Sequence, residues 1–370
     1  MKQNPFQKKK SSWIFFSLIT CVIFLNACKK NSPTDHPLRH FTQKNLVDNN
    51  HGYGALHTDS TLINAWGIAF NPTGVPWVNA QGGHVSEIYD KEGTILRPPV
   101  WIPGPAKNVP GNPSGIVFNA TNDFVLSDGA SAKFLFVGVD GVFSGWNPGA
   151  GDTALTIANN TATSAYTGLA IATSGGNNYL YAADFRAGKI VVWDKSFSAV
   201  SWTFTDPSLP GGYSPYNIQA IGEWLYVTYA KPGPDGHEQF GEGFGVVNIF
   251  KTNGDFVKRF TANGALNAPW GVTSASPGFF KDNDDDSLAK AAIAQSGANM
   301  ILVGNFGDGK INAYTADGKY VGALKSRGQP IVISGLWRSL FLPLLLQLSI
   351  LTGCISHQGL TMNPMVYSDM

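Results

Sequence analysis
Cysteine is scarce in this 370-residue chain: there are three, and two of them, Cys21 and Cys28, stand within the first thirty residues. Cys354 alone cannot close a disulfide or build a thiolate metal centre, so the fold depends on its core. Charge is thin as well. Lys, Arg, Asp and Glu make up 14% of the residues, against roughly 25% in an average soluble chain, and the formal net charge is +1. That balance offers no field to gather nucleic acid, which is excluded as a partner. No serine or cysteine stands in a recognisable nucleophile motif. The chain also lacks an uninterrupted apolar run of the roughly 20 residues that cross a bilayer as a helix. Trp13 to Leu25 is short, and the run after Trp337 is broken by Pro343 and Gln347.

Glycine (42) and proline (22) are abundant, and 43% of the residues are apolar. This composition suits many short strands joined by tight turns, because glycine supplies positive φ and proline pre-sets turn dihedrals. At the N-terminus, Lys2, Lys8, Lys9 and Lys10 precede the Trp13 to Leu25 stretch, followed by Leu25-Asn26-Ala27-Cys28. A basic region, a short apolar region and a small residue before the cut form a secretory signal. The cysteine that follows resembles the lipobox of bacterial lipoproteins. Residues 1–27 are therefore expected to be a signal peptide, Cys28 the lipidated residue and 28–40 a polar tether. Two acyl chains supply stable membrane attachment, so the expected address is the bacterial cell envelope, lipid-anchored on its periplasmic or surface side. An uncleaved membrane anchor is the competing reading.

From residue 41 a repeat emerges. Gly67-Ile68-Ala69, Gly115-Ile116-Val117, Gly168-Leu169-Ala170, Asn217-Ile218-Gln219, Gly271-Val272-Thr273 and Gly335-Leu336-Trp337 each open a strand, at successive spacings of 48, 53, 49, 54 and 64 residues. Periods near 50 are those of four-stranded propeller blades. Tyr179 to Trp193 and Met300 to Tyr314 read as two hairpins of one design, with alternating apolar residues on both arms and a glycine in the turn. The expected fold is all-β: a six-bladed β-propeller of the NHL or lactonase type over 41–337, closed by an N-terminal strand near Phe41 to Val47. Ser287 to Gln295, the clearest helical period, reads as an insertion in a blade loop.

The run Leu62-Ile63-Asn64-Ala65-Trp66-Gly67-Ile68-Ala69, its echo Leu266-Asn267-Ala268-Pro269-Trp270-Gly271-Val272, and the Val303-Gly304-Asn305-Phe306-Gly307-Asp308-Gly309 turn resemble an uncharacterised family of exported bacterial β-propellers, some with PEP-CTERM sorting tails. The resemblance implies fold and export and no particular activity. After Trp337 the composition turns abruptly to Arg338-Ser339-Leu340-Phe341-Leu342. One nucleotide lost after the Trp337 codon accounts for this, because restoring it permits a peptide that resembles the family's sixth-blade start. Residues 338–370 are thus expected to be an out-of-frame tail that leaves the sixth blade incomplete. A divergent tail is the alternative, and the gene sequence decides.

Positions just before a blade's inner strand and at the end of its second strand commonly line a propeller channel. The first set here is Asn64, Asn112 and Asn267, and the second is Asn79, Asp128, Asp184 and Asn305. Such a ring of oxygens suits a hard cation such as Ca²⁺. Six-bladed lactonases and related calcium-dependent hydrolases use one, which makes a divalent-metal-dependent hydrolase the enzymatic reading. Against it, Asn and Asp favour hairpin ends because their side chains bond nearby backbone, and the glutamate such enzymes place early in the first blade is not evident. The leading expectation is a binding or scaffolding propeller that engages a protein, glycan or small ligand. Asp282-Asn283-Asp284-Asp285-Asp286 begins like a calcium loop, but Ser287 and Ile293 stand where Gly and Glu belong. His237, Glu238 and Glu242 lie in a Gly-rich excursion without a second histidine at zinc-ligand spacing. His84 reads as a turn residue, and Trp66 and Trp270 as blade-packing residues rather than a sugar platform.

Overall fold
The computed structural model describes residues 38, 41–277, 279–280 and 299–333. The chain divides into two units, Met1–Thr34 and Asp35–Met370, and every described residue belongs to the second. Among the described residues there is no α-helix, and no helix is long and apolar enough to cross a membrane. Cys28, the tether up to residue 37, the 282–295 segment, the sixth-blade start at Gly335 and the 338–370 tail lie outside the described residues.

Five four-stranded antiparallel sheets follow one another along the chain as the blades of a β-propeller. Blade 1 holds β3 (Ala65–Phe70), β4 (Pro76–Ala80), β5 (Val85–Ile88) and β6 (Val100–Trp101). Blade 2 holds β7 (Pro113–Phe118), β8 (Phe134–Gly138), β9 (Val142–Trp146) and β10 (Leu155–Asn159). Blade 3 runs β11 (Tyr166–Ser174), β12 (Asn177–Asp184), β13 (Lys189–Trp193) and β14 (Ala199–Val200). Blade 4 runs β15 (Ser214–Ile221), β16 (Trp224–Ala230), β17 (Val246–Lys251) and β18 (Phe256–Ala262). Blade 5 is β19 (Pro269–Ala275), β20 (Met300–Asn305), β21 (Ile311–Tyr314) and β22 (Tyr320–Ala323). The two hairpins read from the sequence are β12/β13 and β20/β21. Among the described residues the count of six is corrected to five blades, and the sixth Gly-apolar start, Gly335, lies outside them.

The glycine repeat has a packing cause. In each of the five described blades the pairing of the first two strands shifts register at or next to this position, and in blades 1 to 4 the inner strand meets that of the next blade. A Cβ on Gly67 would stand 2.4 Å from the Ser114 carbonyl oxygen, and one on Gly115 would stand 2.6 Å from the Leu169 nitrogen. Blade 4 has Asn217 instead, and its side chain fills the space over Gly168.

The core lies between the blades as successive apolar layers. Trp77, Ile88 and Val100 of blade 1 pack on Ile116, Phe134 and Trp146 of blade 2. Tyr226, Val247 and Ile249 of blade 4 pack on Val272, Ile301 and Val303 of blade 5. Each terminal blade has one more face. That of blade 1 is covered by Leu46, Val47 and Leu62. That of blade 5 is covered by Leu38, Phe41, Ile331 and Ile333. Residues 41–62 thus form a strap from blade 5 to blade 1. It contains the parallel pair β1 (Val47–Asp48) and β2 (His57–Thr58), and it is tied to blade 5 where Phe41 N donates to the Lys325 carbonyl, 3.0 Å. The expected closing strand over Phe41 to Val47 is therefore not a blade strand. After β22, β23 (Lys325–Ser326) and β24 (Gln329–Pro330) form a last short hairpin.

Candidate functional site
Because each blade turns its first strand inward, β3, β7, β11, β15 and β19 together line a cavity of ≈ 430 Å³. Where these strands begin, the rings of Trp66 and Trp270 meet edge to face with centroids 5.8 Å apart. Trp270 also reaches blade 3, where its Nε1 donates to the Thr167 carbonyl at 2.8 Å, and Asn217 Nδ2 donates to the Trp270 carbonyl at 2.7 Å. These two tryptophans therefore join blades 1, 3, 4 and 5 across the axis. Farther along the strands the lining is Ile68, Phe70, Ile116, Phe118, Ile171 and Val272, several of them half-buried. Among the described lining residues the polar side chains beyond the tryptophans are Asn217, Gln219 and Thr273, and none of the lining is ionisable.

None of the seven carboxamides and carboxylates picked from the sequence lines this cavity. Asn64 Nδ2 donates to Gln81 Oε1 at 2.7 Å, and Gln81 Nε2 donates to Asn112 Oδ1 at 3.2 Å, so Asn64 and Asn112 share one chain of bonds. Asn112 N donates to Asp140 Oδ2 at 2.8 Å. Burial raises the Asp140 carboxyl above its ordinary range, against the pull of these backbone donors and of His84. His84 sits in a turn at φ 63, its Nδ1 2.7 Å from the Gly111 carbonyl. Asn267 and Asn305 also come together, with Asn267 N donating to Asn305 Oδ1 at 3.1 Å. Asn305 Nδ2 donates to the Ala265 carbonyl at 2.7 Å and to Asp308 Oδ1 at 3.0 Å.

Asp184 Oδ1 accepts from Ala165 N at 3.1 Å and Ala187 N at 3.0 Å, tying the entry of its own blade's inner strand. Asp184 pairs with the first residue of β11 and Asn305 with the first of β19, whereas the equivalent residue of blade 1 is Ala80. Asn79 is therefore one residue out of phase and faces the other side of its sheet. It reaches the next blade, where Nδ2 donates to the Ser114 and Gly115 carbonyls at 3.3 and 3.2 Å. Asp128 is exposed and lies before β8, in a loop tied by the Val125–Ser131 bridge. It accepts from Asn147 Nδ2 at 3.0 Å. Among the described residues, no group of three or more His, Cys, Asp or Glu side chains is placed to hold a metal ion.

Two features escaped the sequence reading. One is the apolar cavity itself. The other is a buried acid pair beneath the strap, Asp59 and Glu87, 7% and 1% exposed. The Thr61 hydroxyl is 2.5 Å from Asp59 Oδ1 and also contacts Glu87 Oε1, while Tyr89 donates its OH to Asp59 Oδ2 at 2.7 Å. Burial, reinforced by the Asp59 charge, pushes Glu87 up to about 7. The alternation Val85-Ser86-Glu87-Ile88-Tyr89 already placed Glu87 on the same side as Val85 and Tyr89.

No family model matches the chain. An uncharacterised protein of Acanthamoeba polyphaga mimivirus is 34% identical over 310 residues, covering 79% of this chain and 72% of the relative. A second uncharacterised mimivirus protein is 33% identical over 309 residues, covering 79% and 76%. The chain belongs to this mimivirus protein family. Membership overturns the resemblance to an exported bacterial family: in this chain the Trp-Gly-apolar strand starts serve the packing of the inner strands and do not mark a bacterial lineage. Among solved structures, the virginiamycin B lyase of Staphylococcus aureus is 15% identical, covering 77% of this chain and 73% of that one, with a TM-score of 0.43.

Proposed function
We propose that the propeller is a binding module that takes a small, uncharged, largely apolar molecule into the cavity on its axis. The observation that carries this reading is the lining: ≈ 430 Å³ is within the range of small-molecule sites, and among the described residues no ionisable group lines it. A charged ligand would lose its hydration there without a partner. Gln219 is half-buried on the lining, and its carboxamide would orient a ligand carrying one carbonyl, amide or hydroxyl group. The same lining weighs against hydrolysis on the axis, since acid–base work needs a titratable side chain within hydrogen-bond reach of the reacting atoms. The carboxamide oxygens of Asn112, Asn267 and Asn305 and the Oδ1 of Asp184 are engaged by donors from neighbouring loops.

Titration with the neutral dye Nile red tests the reading. Saturable binding at one site is expected, abolished when Ile116→Trp or Val272→Trp fills the cavity in a protein that still melts cooperatively. Undiminished binding in both filled variants would overturn it. We further propose that the chain is exported and membrane-anchored through Cys28, a reading supported by residues 1–28 alone. Incorporation of labelled palmitate in a bacterial host, lost in Cys28→Ala, is its test.

A further inference from the structure
The acid pair under the strap takes no part in ligand binding, and its hydrogen bonds do not balance unless an extra proton is present. The Thr61 hydroxyl carries one proton yet touches Asp59 Oδ1 and Glu87 Oε1. The Tyr89 proton is spent on Asp59 Oδ2. With both acids ionised, one of the two Thr61 contacts sets acceptor against acceptor. A proton on Glu87 resolves it: Glu87 donates to Thr61 Oγ1, and Thr61 donates to Asp59. Glu87 Oε2 is buried without a hydrogen-bond partner, a position far less costly for a neutral carboxyl than for a carboxylate.

We propose that the strap over residues 41–62 is a pH-operated latch, fastened to blade 1 by one proton shared between Asp59 and Glu87 through Thr61 and loosened when that proton leaves. The titratable group that acts on Glu87 is Asp59, from the strap; Tyr89, at the end of the blade's own strand, is held in its neutral form by burial and by both acids, and among the described residues no basic side chain contributes. The strap lies flush on the blade, for a Cβ on Gly83 would stand 1.9 Å from the Thr61 carbonyl oxygen. Its other end is tied to blade 5 through Phe41 and, just before it, the Leu38–Leu324 bridge. Loosening the strap therefore slackens the link between the two terminal blades. The titration of Glu87 near pH 7 puts this event close to neutrality.

Hydrogen exchange of the full chain at about pH 6 and about pH 8.5, corrected for the intrinsic base-catalysed rate, tests the latch. Peptides within 41–62 are expected to lose roughly tenfold or more of their protection at the higher pH, while 177–193 in blade 3 stays protected. Glu87→Gln keeps the site neutral, and Asp59→Asn leaves the Thr61 proton free for Glu87. Each is expected to flatten the pH step, so whichever of the two folds provides the test. The infrared carbonyl band of a buried protonated carboxyl, titrating near neutrality in the natural chain, is a second readout that needs no variant. An unchanged strap between the two pH values, a full step in a folded variant, or absence of the band would overturn the proposal.

Discussion
Two buried carboxylates give stability opposite dependences on pH. The Asp206 side chain is fully enclosed and accepts from Arg259, from Asn248 Nδ2 at 3.1 Å and from Ser208 N at 2.8 Å. Burial pushes its carboxyl up, but Arg259 and Ser208 outweigh that and hold it below its ordinary 3.8. Its contribution is therefore present above that value and lost as pH falls through the lowered one. Arg259→Ala is expected to cost roughly 2–4 kcal/mol at neutral pH, discounted for the exposed side of the arginine. Urea unfolding should show that penalty shrinking at the acid end. Glu87 runs the other way, raised from 4.5 to about 7. The stability it leaves intact is fully present below 4.5 and is lost as pH rises to about 7, on the order of 3 kcal/mol in all. Urea melts of Glu87→Gln should lack that slope.

Within the blades, the repeat was legible because a packing constraint recurs at a fixed spacing. Gly67 and Gly271 hold the same repeat position, but a Cβ on Gly67 meets the Ser114 carbonyl whereas one on Gly271 finds nothing nearer than 4.0 Å. Gly67→Ala is expected to cost about 1–3 kcal/mol by forcing blades 1 and 2 apart. Gly271→Ala should stay within about 0.5 kcal/mol of the natural chain. Thermal unfolding of the pair separates a glycine needed for blade contact from one kept by the repeat. The candidate site was less legible at this scale. Asn79 and Asp184 look equivalent as polar residues closing a second strand, yet a one-residue offset in pairing sends them to opposite faces. Asp128 looked like a strand end because a local hairpin of its own delays β8. Motif spacing carries neither fact; strand register does.

Across the described residues, the outer faces of blades 1 and 5 are covered by the strap and by the residues after β22 rather than by a neighbouring blade. Leu46 is fully buried on the blade 1 side. Leu46→Asp is expected to cost more than about 3 kcal/mol, since an unpaired charge there is uncompensated. Light scattering should show concentration-dependent association as the apolar face of blade 1 becomes available. By itself the sequence determined the all-β class, the blade period, the hairpin design and the inner-strand starts, because these rest on periodicity and on local turn chemistry. Only the tertiary structure decided that the described cavity lining is largely apolar, that the polar residues expected there instead hold loops and tie one blade to the next, and that Asp59 meets Glu87. Those outcomes depend on which residues distant along the chain are brought onto one face, and strand register and blade-to-blade packing settle that.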